Sequence, residues 1–497
     1  MPYLDCRLTV REDPLTKERV VEFEVVTPGG LKVSAPVCHD ALTKLTVERL
    51  NRWIAAHRGT CEREDLRALG QHLYRILFNG AQKLNSAKTV ADAFEQTYEQ
   101  FQAGLVKRND HDSRMRLTLV FETVVDDLAA YPWEFLFVST SDKDGFFLTG
   151  EKRELILTRA VSRSLVSSFA PEHKAINILI AVSKPRELQE VDDTVETEID
   201  RLEAEINRRD GASKRIIVKR LVNPTHKQLR DEVIDFKPHI VHLIGHGRPG
   251  SLALFKTKDD LTLERALVQE QRKAVIEEAA WVDGNSVRAI FNTNPPRIVF
   301  LHACNSADSR DSLASFKSLA HQVLGAGVPA VVAMQYEISN DDATQFATTF
   351  YQQLGEGMAI DEAVTSGRTA LAAITPAWGH PRFGTPVVYL QSDALPIFER
   401  EPDASGGRDV AGAGSDDLVP CPYSCGGRVL RIAKRCSCEK RQPLKQCEFC
   451  LKAVPERDLD CIFCARTFTK QEALSSVAVS ASPPSAAATT GPRDLTR

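Results

Sequence analysis

The chain has 497 residues, of which 43% are hydrophobic and 26% are charged, and its formal net charge of −4 does not mark it as a binder of nucleic acid or of membrane surfaces. A chain of this length is expected to form roughly two to four domains. It contains no apolar run long enough to span a membrane and no signal-peptide core, so a cytoplasmic protein is predicted.

The first third of the chain is predicted to hold structural elements without recognisable chemistry. Residues 1–58 form a small β-rich N-terminal unit, because two strand-like runs flank the turn Thr27-Pro-Gly-Gly30 and a helical pattern over Leu42–Ala56 follows. Residues 59–170 combine helical patterns with the alternating strand Ser113–Thr123, and they form the first half of a larger domain.

Residues 171–395 alternate strands with helices. Buried strands are predicted at Ile176–Val182 and Arg215–Leu221, and Thr225 with Gln228 forms a capping box that opens a helix. Such alternation requires a doubly wound, mostly parallel sheet with helices on both faces, so the fold class is α/β. The charged segment Lys256–Ala279 is predicted to be in part a surface loop.

Two short apolar runs of this half end in polar signatures. The run His239–Ile244 leads into Gly245-His246-Gly247, and the run Arg297–Ala303 leads into Cys304. Each run is typical of a strand buried in a parallel sheet, where chemistry is found at the carboxyl ends of the strands. If the two strands are neighbours, His246 and Cys304 face each other at that edge, and an imidazole beside a thiol promotes formation of a thiolate nucleophile.

Each of these residues also has a simpler explanation. A lone buried cysteine usually serves as a small apolar side chain, and a histidine at a strand end is usually held by hydrogen bonds. The pairing of His246 with Cys304 at corresponding strand ends favours a catalytic dyad instead. Gly247 adds to this interpretation, because a backbone N–H without a neighbouring side chain can approach a substrate carbonyl and stabilise an oxyanion.

The same residues carry a resemblance to a known family. The motif HLIGHG around His246 and the motif LHACNS around Cys304 resemble the caspase-like cysteine peptidases, and most closely the CHAT family, which is related to separase, caspases and metacaspases. The segments Leu128–Phe137 and Pro386–Leu390 resemble further parts of that domain, so the resemblance covers roughly residues 60–395. It implies a caspase-like fold and a cysteine endopeptidase that needs no cofactor for catalysis.

The resemblance also implies where specificity is set. In caspases the residue two positions before the nucleophile lines the primary specificity pocket, and this chain has His302 there, whereas metacaspases that cut after basic residues have an aspartate. Asp192, Asp193 and Glu337 are candidates to line a pocket for a basic side chain. The alternative is that these acids belong to solvated charge runs.

The C-terminal part is predicted to be a separate, metal-dependent module. Residues 396–420 have the Gly/Ala/Asp-rich composition of a flexible linker, and residues 467–497 have that of a disordered tail. The intervening module, 421–466, contains four closely spaced cysteine pairs, a pattern typical of structural zinc sites with two Zn²⁺ ions in a double zinc-ribbon-like fold. The predicted ligands are Cys421, Cys425, Cys436, Cys438, Cys447, Cys450, Cys461 and Cys464. The simplest pairing joins the first four in one site and the last four in another, and an interleaved pairing is the alternative.

These observations favour a caspase-like cysteine endopeptidase whose zinc module recognises a protein, either the substrate or an activating partner. The first alternative is a CHAT scaffold for protein assembly that does not catalyse a reaction. The second is a zinc-ribbon adaptor for nucleic acid, which is disfavoured on charge. Residues 421–470 have eleven Lys or Arg against five Asp or Glu, a formal +6, and two tetrathiolate zinc centres of about −2 each leave only about +2.

Overall fold

The chain divides into two compact units, Met1–Glu399 and Arg400–Arg497. A computed structural model describes the following residues: 3–78, 89–110, 112–122, 125–139, 144–161, 176–188, 199–200, 202–204, 216–248, 250–271, 278–305, 312–336, 338–373, 380–391, 418–420, 428–430, 444–446 and 453–455. Among the helices within these ranges, none combines the length and the apolar character that crossing a membrane requires.

A thirteen-stranded, mostly parallel sheet forms the centre of the first unit. The strands of this sheet, together with β5 and β6 of a separate two-stranded sheet, are β1 (Tyr3–Glu12), β2 (Arg19–Val25), β3 (Lys32–Pro36), β4 (Arg114–Phe121), β5 (Phe137–Ser139), β6 (Gly145–Phe147), β7 (Leu155–Val161), β8 (Ile176–Val182), β9 (Ile216–Val222), β10 (Ile240–Arg248), β11 (Ser251–Phe255), β12 (Ala279–Asp283), β13 (Ile298–Asn305), β14 (Ala330–Met334) and β15 (Pro386–Leu390). The strand order is β12-β11-β10-β13-β14-β15-β7-β4-β1-β2-β3, with β8 paired to both β10 and β9.

Helices pack on both faces of this sheet. They are α1 (Ala41–Ala56), α2 (Arg63–Phe78), α3 (Val90–Arg108), α4 (Asp126–Ala129), α5 (His226–Phe236), α6 (Lys258–Gln271), α7 (Gly284–Phe291), α8 (Ser312–Gly325), α9 (Asn340–Gly355) and α10 (Ile360–Ala373). Alternate residues of β10 and β13 point to opposite faces. One set shares a core with α9 and α10, and the other shares a core with α5, α7 and α8. This arrangement confirms the predicted doubly wound α/β fold.

Several local signals in the sequence are confirmed. Thr225 and Gln228 form the capping box at the start of α5, with both reciprocal hydrogen bonds present. Ser339 caps α9 by accepting a hydrogen bond from the Asp342 backbone N–H at 3.2 Å. Trp133 is fully buried in the core of the first half of the domain. Strong local chemistry therefore fixes the helix starts close to where the sequence predicts them.

The N-terminal strands extend the main sheet instead of forming a sheet of their own. β1 pairs in parallel with β4 over eight residues, and β2 and β3 continue the sheet outward. Cys6, Leu8 and Val10 on one face of β1 are buried in the core that α2 and α3 complete. The boundary expected after residue 58 therefore does not separate two hydrophobic cores. α1, which confirms the helical pattern over Leu42–Ala56, buries Val47 and Ile54 and leaves Leu45 40% exposed.

The segment Lys256–Ala279, predicted in part as a surface loop, begins and ends beside paired strands. β11 pairs antiparallel with the end of β10 and with β12, and the exposed helix α6 connects β11 to the residues before β12. Leu252 and Leu254 of β11 are buried, which explains why this short apolar stretch joins the sheet. The high charge of the segment reflects the solvent exposure of α6.

The second unit contains two short antiparallel hairpins. One pairs β16 (Leu418–Pro420) with β17 (Arg428–Leu430), and the other pairs β18 (Leu444–Gln446) with β19 (Ala453–Pro455). The eight cysteines predicted to bind zinc all lie outside the described residues.

Candidate active site

The structure brings the predicted dyad residues to adjacent positions at the carboxyl edge of the sheet. β10 and β13 are parallel neighbours over eight residue pairs, in which His246 lies opposite Cys304 and Gly247 lies opposite Asn305. Neighbouring strands are separated by about 4.8 Å. The two strand ends that the sequence singled out therefore meet in the same row of the sheet. For Cys304 the structure describes the backbone.

The strands hold these positions because both of their faces are buried. Val241 and Val299 pack into the core on one face, while Ile240 and Phe300 pack into the core on the other. A slip of one residue in the pairing would move each of these apolar side chains to the opposite face. The register that sets His246 beside Cys304 is therefore fixed by the hydrophobic pattern of both strands.

Gly245, directly before His246, allows the chain after β8 to approach closely. A Cβ atom at Gly245 would lie 3.0 Å from the backbone oxygen of Ser183, a residue that follows β8 directly. The Ser183 N–H in turn donates to the Ile244 carbonyl at 2.8 Å. His246 is only 5% exposed in this arrangement.

A second buried histidine, His242, lies four residues before His246 on the same face of β10. Its ring stacks on Phe300 with a centroid distance of 4.1 Å, and its Nδ1 is 3.3 Å from the Tyr351 hydroxyl. His302, the predicted specificity residue, has its ring centroid 6.1 Å from that of His242. The sequence interpretation missed His242, although alternation along the strand from His246 would have placed it on this face.

The imidazoles of His242 and His302 are uncharged at neutral pH. Burial lowers the pKa of His302 to about 4, and burial together with the proximity of His302 holds the pKa of His242 well below its usual range. The face of the sheet below the dyad position is therefore lined by two neutral histidines, of which His242 stacks on Phe300.

The other predicted specificity residues, Asp192, Asp193 and Glu337, lie outside the described residues. Within the described ranges, no cluster of three or more His, Cys, Asp or Glu side chains is arranged to hold a metal ion.

An antiparallel extension of the sheet adjoins the dyad on the side of His246. β13 pairs with β10 on one edge, while β8 pairs with Ile240–Ile244 and β11 with Gly247 and Arg248 on the other. β11 and β12 therefore continue the sheet beyond the point where β8 ends. The guanidinium of Arg248 lies over the ring of Trp281 in β12, 4.3 Å from its centroid.

A cluster of buried charges joins the two halves of the domain. Arg159 of β7 donates from Nε to Glu134 at 3.0 Å, and the Gln335 side chain donates to the same carboxylate at 2.9 Å. Arg368 of α10 donates to the carbonyls of Leu157 and Pro386, each at 2.9 Å. Burial lowers the pKa of Arg368 to about 10.

This cluster also holds the end of β14, the strand that lies next to β13 in the sheet. Gln335 directly follows β14, the strand that neighbours β13, so its hydrogen bonds to Glu134 and to the Gly384 carbonyl hold the end of that strand. The sequence interpretation missed the cluster. The one local signal was the charged Arg159 within an otherwise apolar strand.

Comparison with known proteins places these features in a family. The CHAT domain matches residues 67–379, and no curated protein sequence matches the chain. Among solved structures, the chain is similar to separase in the separase–securin complex of Saccharomyces cerevisiae, with 12% identity, a TM-score of 0.39 and coverage of 78% of this chain. The alignment covers 30% of the separase chain, less than a third of its length.

The chain is also similar to the Arg-specific cysteine proteinase gingipain R of Porphyromonas gingivalis. That alignment has 12% identity and a TM-score of 0.36, and it covers 71% of this chain and 76% of gingipain R. The CHAT domain match spans more than half of the 497 residues. The protein is a member of the CHAT domain family.

Proposed function

We propose that the protein is a caspase-like cysteine endopeptidase in which His246 and Cys304 form the catalytic dyad. The register that sets these two residues opposite each other on neighbouring parallel strands carries the proposal. Membership of the CHAT family and the position of both residues at the carboxyl edge of the sheet support it.

The reaction proceeds in two stages. His246 accepts the proton of the Cys304 thiol, and the thiolate sulfur attacks the scissile carbonyl carbon to form a tetrahedral intermediate. The Gly247 N–H donates a hydrogen bond to the resulting oxyanion. Protonated His246 then gives its proton to the leaving amine as the C–N bond breaks, which leaves an acyl group on Cys304.

Water completes the cycle. His246, now neutral, accepts a proton from a water molecule that attacks the thioester, and it returns this proton to the sulfur as the C–S bond breaks, which releases the carboxylic acid and restores the thiol. The imidazole of His246 is only 5% exposed, so bulk water has little access to this member of the dyad.

Specificity is set in part by His302. Its neutral imidazole on the floor of the site supplies no negative charge for a basic substrate side chain. A preference for Arg or Lys would therefore depend on the carboxylates of Asp192, Asp193 or Glu337.

Labelling with a library of peptide acyloxymethyl ketones tests the dyad. We expect covalent labelling of the wild-type protein and its loss in both Cys304→Ala and His246→Ala, with Cys38→Ala as the control for a partly exposed thiol elsewhere in the chain. Labelling that persists in Cys304→Ala would refute the assignment. Labelling of neither the wild type nor any variant, even after addition of lysate from the native host, would favour the scaffold function.

The C-terminal unit is proposed to bind two structural zinc ions. Cys421 directly follows β16 and Cys447 directly follows β18, while Cys436 and Cys461 each lie six positions beyond the last residue of β17 and of β19. This repetition supports the sequential pairing of ligands, with Cys421, Cys425, Cys436 and Cys438 at one ion and Cys447, Cys450, Cys461 and Cys464 at the other. Four thiolates per ion close the coordination shell, so zinc would supply folding energy and no catalysis.

Metal analysis separates this arrangement from its alternative. We expect two zinc ions per full-length chain and one in a chain that ends at residue 440, because the first ligand set is then complete. Loss of both ions from the shortened chain would indicate interleaved pairing, and absence of zinc from the full chain would refute the metal assignment.

The zinc module is proposed to recognise a protein, either substrate or activating partner. Deletion of residues 396–497 should therefore spare hydrolysis of short peptides and impair cleavage of the native target. Equal loss of both activities would contradict a recognition role.

A further inference from the structure

The antiparallel extension of the sheet beside His246 belongs to a helix-covered core on one of its faces. Leu252, Leu254 and Val282 of β11 and β12 are buried in the core that contains α5, α7 and α8. On the opposite face, the described residues of β11 and β12 contribute nothing to the core that α9 and α10 share with β10. On this face Ala253 is fully buried and Ser251 is partly buried.

Arg248 and Trp281 lie on this face. Arg248 is two positions from His246 on β10, so both side chains point to the same side of the sheet. Arg248 pairs with Ser251 of β11, and Ala253, two positions further along β11, pairs with Trp281 of β12. Trp281 therefore lies on the same side of the sheet as Arg248. Arg248 is exposed and Trp281 is half-buried.

The stacked arrangement prepares the guanidinium for binding. The guanidinium carbon of Arg248 lies 4.3 Å from the centroid of the Trp281 indole ring, a cation–π contact that favours an ordered position of the side chain. Asp283 and Arg248 both pair with Ser251, one from each side. Asp283 caps α7 by accepting a hydrogen bond from the Ser286 N–H at 2.8 Å. Asp283 therefore serves the fold as a helix cap.

We propose that Arg248, supported by Trp281, forms a subsite for an acidic substrate side chain on the leaving-group side of the scissile bond. The proposal rests on the proposed peptidase function. His246 gives its proton to the leaving amine, and Arg248 follows His246 by two positions on the same strand, so it lies nearer to this proton donor than to Cys304 on the neighbouring strand. A planar guanidinium binds a carboxylate through two parallel hydrogen bonds.

The geometry limits which substrate positions can reach this subsite. Two residues along a strand span about 7 Å, and an extended peptide rises about 3.3 Å per residue. An acidic residue within about three positions after the scissile bond is therefore within reach of Arg248.

Matched peptides test the charge preference. In a quenched-fluorescence library with Glu, Gln or Lys fixed at each of the first three positions after the scissile bond, wild-type kcat/KM should be roughly five- to tenfold higher for Glu than for Lys at one position. Arg248→Glu should invert that ratio. Arg49→Glu, a charge reversal at an exposed position on α1, should leave the ratio as in the wild type.

A binding measurement separates failure of the subsite from failure of the peptidase. In a Cys304→Ala background, anisotropy of the same labelled peptides should show tighter binding of Glu than of Lys, and Arg248→Glu should reverse that order. Charge-dependent binding without any turnover by the wild type would refute the peptidase and retain the subsite. Turnover and binding that are both indifferent to charge at all three positions, or a preference unchanged by Arg248→Glu, would refute the subsite.

Discussion

Buried polar residues occupy two regions of the domain, and the two regions differ in whether these residues keep their charge. The junction cluster (Glu134, Arg159, Gln335 and Arg368) keeps its charges and surrounds them with opposite charge and backbone carbonyls. The edge histidines His242 and His302 lie among aromatic rings and lose their charge instead.

The difference separates a structural role from a chemical one. Charges held by several fixed partners lock two halves of a fold together, and removal of one partner is costly. Neutral imidazoles below a strand edge place no fixed charge beside the position where a thiolate and an oxyanion would form. We therefore expect substitutions in the junction cluster to change stability, and substitutions of the dyad to change chemistry.

The largest expected effect follows removal of the charge at Glu134. In Glu134→Gln the guanidiniums of Arg159 and Arg368 remain buried without their shared carboxylate, so the free energy of unfolding should fall by about 3–5 kcal/mol. Urea denaturation measures this loss. The control Glu232→Gln, which breaks the half-exposed pair with Lys219, should cost less than about 1 kcal/mol. Equal losses in both variants would contradict a structural role for the junction cluster.

An intermediate effect is expected from the edge histidines when the pH falls. The pKa of His302 is about 4 in the folded protein and about 6.5 in the unfolded chain, so the unfolded state binds the extra proton between these values. Its contribution to stability is complete above pH 6.5 and declines as the pH falls toward 4.

Unfolding free energies at pH 7 and pH 5 measure this contribution. The wild-type protein should lose about 2 kcal/mol more over this interval than His302→Gln, in which the titrating group is absent. If His302→Gln shows the same loss as the wild type, His302 is not held in the neutral form.

The smallest effect is expected at the hydrogen bond between Tyr351 and His242. Tyr351→Phe removes the hydroxyl that lies 3.3 Å from Nδ1 of His242 and should lower the free energy of unfolding by about 1 kcal/mol. A thermal or urea unfolding curve would detect this change. A loss above about 3 kcal/mol would show that Tyr351 acts mainly through packing, and no loss would show that the hydrogen bond contributes nothing.

The sequence predicts those features that depend on neighbouring residues along the chain. Ile176–Val182 and Pro386–Leu390 form strands with the predicted bounds, because their apolar runs are buried on both faces of the sheet. The opposition of His246 and Cys304 is likewise predictable, since both follow similar strands and carboxyl ends of parallel strands meet at one edge.

Features that depend on distant pairing are not predictable in this way. Glu134 and Gln335 are separated by 201 positions, so their hydrogen bond is determined by the tertiary fold and has no local signature. Antiparallel pairing of β11 and β12 was missed because the charges of α6 dominate the composition of that segment. The contact between Arg248 and Trp281 forms only after these strands pair.

Alkylation of Cys304 as a function of pH tests the central claim most directly, because it requires no substrate. Iodoacetamide modification of the Cys304 peptide, followed by mass spectrometry with Cys38 as an internal reference, should show a midpoint below about pH 7.5 in the wild-type protein. In His246→Ala the midpoint should return to about 8.5 or above. The same midpoint in both proteins would show that His246 does not activate Cys304 and would contradict the proposed dyad.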